Sequence, residues 1–228
     1  GEEKDSKFSM SVLAMNFSAQ VNAVSLIHRD VSRKMFAPLY KGYFPDELYI
    51  DYVTNGVHNL TWTSQSWQRL YREVFSEEYL SDVSNSDYWN KIMSVENSVL
   101  WELHKKEKES LVEFIKSRLQ KEYALRAENP QVYFETIKKF DSEKLTVGFA
   151  RRFATYKRAD LLFSNLDKLK EIVDKGVQFV FAGKAHPQDK AGADLIRRII
   201  EVSRMPQFLG SIIFIENYDM SVAKRLVS

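Results

Sequence analysis

The stretch from Leu145 to Arg158 reads LTVGFARRFATYKR, a short apolar run followed at once by a cluster of four cations. The run 145–149 is typical of a buried β-strand, because it is brief, apolar and partly β-branched. A helical pattern from about 156 to 173 follows it, and a second, nearly all-apolar strand is predicted at 177–182. This order indicates a strand–helix–strand unit.

The same rhythm continues to the end of the sequence. It predicts a helix at 191–203, a strand at 211–215 and the start of a helix at 220–227. Short apolar strands that alternate with helices favour a parallel sheet covered on both faces. We therefore expect an α/β fold, with about three βα units of a Rossmann-like sheet at 143–228. A complete doubly wound sheet has more strands, so we expect the first strand to keep a bare edge that favours a homo-oligomer.

The residues before this sheet are predicted to be largely helical. The region 64–138 is charged and helical, and its run 105–109 is interpreted as a solvated face. Residues 9–36 also read as one helix, with His28 on its inner face. The helical spacing rests on these apolar residues: Phe17, Val21, Val24, Ile27, Val31 and Met35. A short strand at 48–53 and a turn at Asn55-Gly56 complete this part.

Composition limits the classes of function. The 228 residues are 44% hydrophobic and carry a net charge of +2, which disfavours a dedicated nucleic-acid or membrane-surface binder. The sequence has no cysteine, which excludes disulfides and thiolate metal sites and fits a reducing compartment. No stretch is apolar enough to span a membrane and the first residues are charged. We expect a soluble, cytoplasmic protein.

The candidate chemistry follows the predicted strands. The loop 151–158 places its cations at a strand end and a predicted helix start, where an anion such as phosphate binds well; a solvated basic loop is the alternative. Gly183 after the second strand would let the backbone approach a ligand, and Lys184 would add charge; an ordinary glycine turn with an exposed lysine is the alternative. After the third strand, Asp219 is predicted to cap the next helix.

Together these motifs resemble the α-glucan phosphorylase family, in its short bacterial branch. The resemblance rests on five segments in the family's order: Val147–Arg158, Phe181–Pro187, Glu216–Met220, Val21–His28 and Val53–His58. It implies a glycosyltransferase-B fold and phosphorolysis of α-1,4-glucans to glucose 1-phosphate with pyridoxal phosphate. In this reading residues 1–58 are the tail of the first domain and 59–228 the first part of the second.

The resemblance also implies roles for single residues. Arg152 and Lys157 match the residues that bind substrate phosphate, and Arg151 matches a cation near the cofactor phosphate. Tyr218 matches the tyrosine beside the pyridoxal ring. On the sugar side, Asn55 matches an asparagine that hydrogen-bonds glucose, and Val24 matches a backbone contact to the sugar.

Two positions and one segment depart from the family pattern. Ala23 stands where the family usually has glycine, and Asp219 stands where the animal branch has arginine. The family's Glu-Ala-Ser-Gly-x-x-x-Met-Lys segment, with the lysine that forms the Schiff base, does not occur in these 228 residues. We therefore expect a fragment that is inactive alone. The alternatives are a nucleotide-sugar-dependent glycogen or starch synthase, and a non-catalytic fragment with a residual anion site.

Overall fold

The computed structural model describes residues 8–228 as two compact units, divided between His58 and Asn59. The first unit combines two helices with a small parallel sheet. Its elements are α1 (Met10–Phe17), β1 (Val21–Ala23), α2 (Leu26–Phe36) and β2 (Ile50–Tyr52). Val21 pairs with Ile50 and Ala23 pairs with Tyr52.

The prediction of a single helix at 9–36 is wrong. The backbone leaves the helical conformation after Phe17 and becomes a strand at 21–23, because these residues pair with β2. The second helix starts at a new cap, where Ser25 accepts a hydrogen bond from the His28 N–H at 3.1 Å. His28 is exposed rather than inward-facing. The apolar spacing therefore did not predict burial. Five of the residues on which it rests are exposed: Phe17, Val24, Ile27, Val31 and Met35.

The strand predicted at 48–53 is confirmed as β2, but the turn predicted at Asn55-Gly56 is not formed. Residues 53–58 have no regular secondary structure. The Val53 N–H donates to the Ala23 carbonyl at 2.9 Å, and the Asn55 N–H donates to the Val24 carbonyl at 3.4 Å. These bonds keep the chain beside β1, so it does not reverse there.

The second unit begins with the predicted helical region. Its helices are α3 (Asn59–Trp62), α4 (Gln65–Phe75), α5 (Ser86–Asn90), α6 (Asn97–Leu125) and α7 (Pro130–Lys139). The second half of the 29-residue helix α6 buries Leu111, Ile115 and Leu119, as their spacing predicts. Part of the run 105–109 is only half-exposed, because Lys108 donates to the Lys144 carbonyl and Glu107 accepts from Ser64 at 2.8 Å.

The βα units follow in the predicted order. They are β3 (Leu145–Ala150), α8 (Leu166–Asp174), β4 (Val177–Ala182), α9 (Lys190–Ser203), β5 (Ile212–Ile215) and α10 (Met220–Val227). The three strands are parallel and lie in the order β3-β4-β5. Within residues 8–228, β3 pairs only with β4, and Leu145 and Val147 on it are exposed.

Helices cover both faces of this sheet, as the sequence predicts. Side chains alternate between the faces along each strand. Val180 and Ala182 pack against α6 and α10 on one side. Phe179 and Phe181 pack against α8 and α9 on the other. The α/β prediction of a partial, parallel, Rossmann-like sheet is confirmed.

One helix start in this region was predicted wrongly. The helix expected from about Tyr156 begins only at Leu166, and residues 155–157 and 161–163 form short 3₁₀ turns. Arg158 adopts a left-handed conformation, with φ of 52°, that interrupts a helix. Asn165 then caps α8 by accepting from the Lys168 N–H at 2.9 Å.

Candidate functional site

The candidate site of the second unit lies where its three strands end. Ala150, Ala182 and Ile215 are paired in register, so the following loops leave the sheet at the same edge. Neighbouring strands are about 5 Å apart, which places the first and third loops roughly 10 Å from each other. In parallel sheets this edge is where ligands bind.

Three cations of the first loop and one of the second are available at this edge. Arg151, Arg152 and Lys184 are exposed, and Lys157 is half-buried with its Nζ 4.8 Å from the ring centroid of Tyr156. In the described part of the chain, none of the four has a carboxylate within 4.0 Å. Their charge is therefore not neutralised internally, which is the condition an anion site requires.

The first loop is held by pairing that extends beyond the strands. The Arg151 N–H donates to the Ala182 carbonyl at 3.2 Å, and the Phe153 N–H donates to the Lys184 carbonyl at 3.0 Å. Gly183 lies between them with φ of 150°, and a Cβ there would lie 2.0 Å from the Arg151 carbonyl oxygen. In the structure, the space beside Gly183 is occupied by the backbone of Arg151.

The helix that approaches this loop is α9, not the one predicted at Tyr156. A Cβ on Gly192, in the first turn of α9, would lie 2.4 Å from the Phe153 carbonyl oxygen. Asp189 caps this turn by accepting from the Gly192 N–H at 2.9 Å. Because no helix starts directly after the cations, their side chains rather than a helix N-terminus provide the positive charge.

The third loop carries Tyr218 on a well-supported backbone. Tyr218 is half-buried and packs against the core on the α6 side of the sheet. Asp219 caps α10 as predicted, accepting from the Val222 N–H at 2.9 Å. This bond, together with an ion pair to Arg118 at 2.9 Å, holds the pKa of Asp219 below its ordinary value.

Sequence reasoning missed three charged residues in or directly after α6: Arg118 and Arg126, which pair with this loop, and Glu122 between them. Arg118 pairs with Asp219, and Arg126 pairs with Glu216. Glu122 lies between the two arginines on the helix; it is only 8% exposed, and burial raises its pKa despite both neighbours. The four-residue spacing of Arg118, Glu122 and Arg126 was a visible signal of charge pairing on one helix face.

In the first unit, the structure brings Val24 and Asn55 together. The Val24 carbonyl accepts from the Asn55 N–H, and the Val24 N–H donates to Nδ1 of His28 at 3.2 Å. Both backbone groups of Val24 are therefore engaged within the unit. The side chains of Val24 and Asn55 are exposed.

Residues 8–228 contain no group of three or more histidine, aspartate or glutamate side chains arranged to hold a metal ion. Over the same range, no helix combines the length and apolarity needed to cross a bilayer.

Comparison with known proteins identifies the family. The profile described as "Carbohydrate phosphorylase" matches residues 1–228. Glycogen phosphorylase of Aquifex aeolicus is 39% identical over 99% of this chain and 33% of its own length. Maltodextrin phosphorylase of Thermococcus litoralis is 37% identical over 100% of this chain and 27% of its own length. Glycogen phosphorylase of Mycobacterium tuberculosis is 36% identical over 99% of this chain and 26% of its own length. The chain thus spans a quarter to a third of the length of these relatives, and it belongs to the carbohydrate phosphorylase family.

Proposed function

We propose that this chain contributes the phosphate-binding part of the active site of an α-1,4-glucan phosphorylase. The observation that carries the proposal is the cluster of Arg151, Arg152, Lys157 and Lys184, which lies at the strand ends without carboxylate partners. The relatives are named glycogen phosphorylase and maltodextrin phosphorylase, which supports the reaction that the motifs imply: glucan and phosphate give glucose 1-phosphate. They also favour this function over a nucleotide-sugar-dependent synthase.

The four cations suit a phosphate dianion. Arg152 and Lys157 hold the substrate phosphate, and Arg151 lies beside the cofactor phosphate. Arginine donates in a fixed fork that matches phosphate oxygens, whereas lysine adds a compact charge. Fixed donors that are oriented before the reaction stabilise charge that develops on the phosphate without reorganisation.

The residues present also fit pyridoxal phosphate. Its phosphate needs cations, which Arg151 and its neighbours provide, and its ring needs an aromatic or apolar wall, which the half-buried Tyr218 provides at the same edge. When bound, the cofactor supplies a phosphate group that exchanges a proton with the substrate phosphate. The family's lysine segment is not among these 228 residues, so this chain would hold the cofactor by these contacts alone.

The first unit supplies contacts to the sugar in this proposal. The exposed amide of Asn55 hydrogen-bonds the bound glucose, and the segment at Val24 borders it. The boundary between the compact units, after His58, supports assigning 8–58 to the tail of one glycosyltransferase-B domain and 59–228 to the first part of the next. The absence of cysteine from the sequence supports a reducing, cytoplasmic location.

A titration with inorganic phosphate tests the proposal. The full chain is titrated by calorimetry or ³¹P NMR, and Arg152→Ala and Lys157→Ala are each expected to weaken binding about tenfold or more, because each removes a charge-assisted contact. Lys175→Ala is the matched control, since Lys175 is exposed at the end of α8 and its removal lowers the net charge equally. Equal losses of phosphate affinity in all three variants would mean that 151–158 is a solvated basic loop and not a specific phosphate site. Preferential binding of a uridine or adenosine diphosphate sugar would support the synthase instead.

A further inference from the structure

We infer that Arg118 is a positioning residue that orients the third loop, 216–219, and with it the ring of Tyr218. The role of Tyr218 in this inference rests on the proposed function. The contact between α6 and the loop does not depend on the proposed function, because it is a feature of the structure itself.

Arg118 contacts the loop on both sides of Tyr218. Its Nη2 donates to Oδ2 of Asp219 at 2.9 Å and to the carbonyl of Asn217 at 3.4 Å. Asn217 adopts a left-handed conformation, with φ of 51°, which is unfavourable for a residue with a Cβ. A donor that fixes the Asn217 carbonyl stabilises this turn and so determines where the next side chain points.

The position of Arg118 itself is well defined. It lies on α6 between the fully buried Ile115 and the nearly buried Leu119. Its guanidinium lies 5.6 Å from the ring centroid of Phe114, and Arg225 of α10 lies 4.4 Å from the same ring. Nε of Arg118 is shielded from solvent. The arginine therefore has little freedom to move away with the loop.

A second arginine, Arg126 at the C-cap of α6, holds the other end of the loop. Arg126 pairs with Glu216 and with Glu128, and Glu128 in turn pairs with Arg204, the C-cap of α9. The loop is thus attached to α6 at its first residue and at its last. Between these attachments, Arg118 donates to the backbone next to Tyr218, at the Asn217 carbonyl.

Asp219 has two separable tasks, which makes the inference testable. Its Oδ1 caps α10, while its Oδ2 pairs with Arg118. Asparagine is an equally good helix cap. Asp219→Asn therefore removes the ion pair and keeps the cap.

Hydrogen exchange of the full chain, followed by mass spectrometry without ligand, tests the contact. Arg118→Met is expected to speed exchange of the amides at 217–222 about threefold to fivefold, as loss of a partly exposed ion pair implies, and Arg118→Lys should restore part of the protection. Asp219→Asn should speed exchange less than Arg118→Met does, because the contact of Arg118 with the Asn217 carbonyl remains, and the double variant should add little to Arg118→Met. Lys116→Met is the control, because among residues 8–228 Lys116 pairs only with Glu113 on its own helix, at 3.2 Å. Unchanged exchange in Arg118→Met, or full additivity in the double variant, would overturn the inference.

A spectrophotometric titration with pyridoxal 5′-phosphate tests the consequence for Tyr218. Arg118→Met is expected to raise the dissociation constant by a similar factor, with partial rescue by Arg118→Lys and no change in Lys116→Met. If Arg118→Met speeds hydrogen exchange as expected but the wild-type chain binds no pyridoxal phosphate, the cofactor part of the proposed function fails. The positioning of the loop by Arg118 then still stands. If the wild-type chain binds and Arg118→Met binds equally well, Arg118 does not position Tyr218.

Discussion

Replacement of Gly183 by alanine should release the first loop of the site. Gly183 has φ of 150°, which disfavours any residue with a Cβ, and the added Cβ would lie 2.0 Å from the Arg151 carbonyl oxygen and 2.9 Å from the Phe153 ring. Real Cβ atoms essentially never approach other atoms closer than 3.0 Å. The backbones of β4 and of the 151–153 segment must therefore separate by about 1 Å.

The destabilisation by Gly183→Ala has two parts, backbone strain and weakened hydrogen bonds. Left-handed strain at an L-residue contributes about 1–2 kcal/mol. Separation also weakens the two flanking hydrogen bonds, from Arg151 to Ala182 and from Phe153 to Lys184, at about 1 kcal/mol each. The expected loss in the free energy of unfolding is therefore about 3–4 kcal/mol, with weaker phosphate binding in the fraction that folds.

Three other glycines separate the two causes. Gly192→Ala meets a clash of 2.4 Å without positive φ, and should cost about 1–2 kcal/mol after the gain in helix propensity. Gly176→Ala has φ of 88° in open space, and should cost about 1 kcal/mol. Gly148→Ala has neither feature and should stay within about 0.5 kcal/mol of wild type.

Urea unfolding followed by tryptophan fluorescence measures these losses. All four tryptophans lie in the second unit, and Trp89 packs against Tyr71 and Phe75 with ring centroids 5.2 and 5.3 Å away, so the signal reports this unit. If Gly183→Ala costs no more than Gly176→Ala, the close approach of Arg151 to β4 relaxes freely. The account of how the loop is held would then be wrong.

Three further predictions concern activity, pH and assembly. With maltodextrin and phosphate, this chain alone should release no glucose 1-phosphate in a coupled enzymatic assay, since the lysine segment is not in the sequence; detectable release would contradict the fragment interpretation. Because burial raises the pKa of Glu122 above its ordinary 4.5, the folded state binds more protons than the unfolded state. The free energy of unfolding should therefore fall as pH rises above about 4.5 and level off beyond the folded pKa. Glu122→Gln should stabilise the fold more at pH 7 than at pH 4, and an equal shift of the urea midpoint at both pH values would refute this. The exposed edge of β3 should allow concentration-dependent association in sedimentation experiments, which Val147→Lys on that strand should weaken; a monomer at high concentration would rule it out.

The second unit follows its sequence closely where local and tertiary preferences agree. The strands β3, β4 and β5 are short apolar runs, and α10 begins at the Asp219 cap that its sequence indicates. Since parallel strands end at one edge, placing cations after β3 and β4 was enough to bring Arg152 and Lys184 to the same side.

Where long-range contacts decide the backbone, sequence patterns were insufficient. The apolar spacing at 9–36 is helical, yet pairing with Ile50–Tyr52 turns its middle into a strand. The residues from about Tyr156 also look helical, but the left-handed Arg158 interrupts them and the helix begins only at Leu166. Glu122 was missed because an acidic residue on a charged helix is usually solvated, whereas here tertiary packing leaves it only 8% exposed.

The two outer loops of the candidate site differ in how they are held, and this difference explains why its cations can remain unpaired. The third loop depends on its charges, through Arg118 and Arg126. The first is held by backbone pairing, by glycine contacts and by Phe153, which is 1% exposed. Arg152 has no carboxylate partner among residues 8–228, so its removal breaks no ion pair and takes away one of several like charges at this edge. Arg152→Ala should therefore leave the urea midpoint unchanged or slightly raised while it weakens phosphate binding, the trade between stability and function typical of active sites.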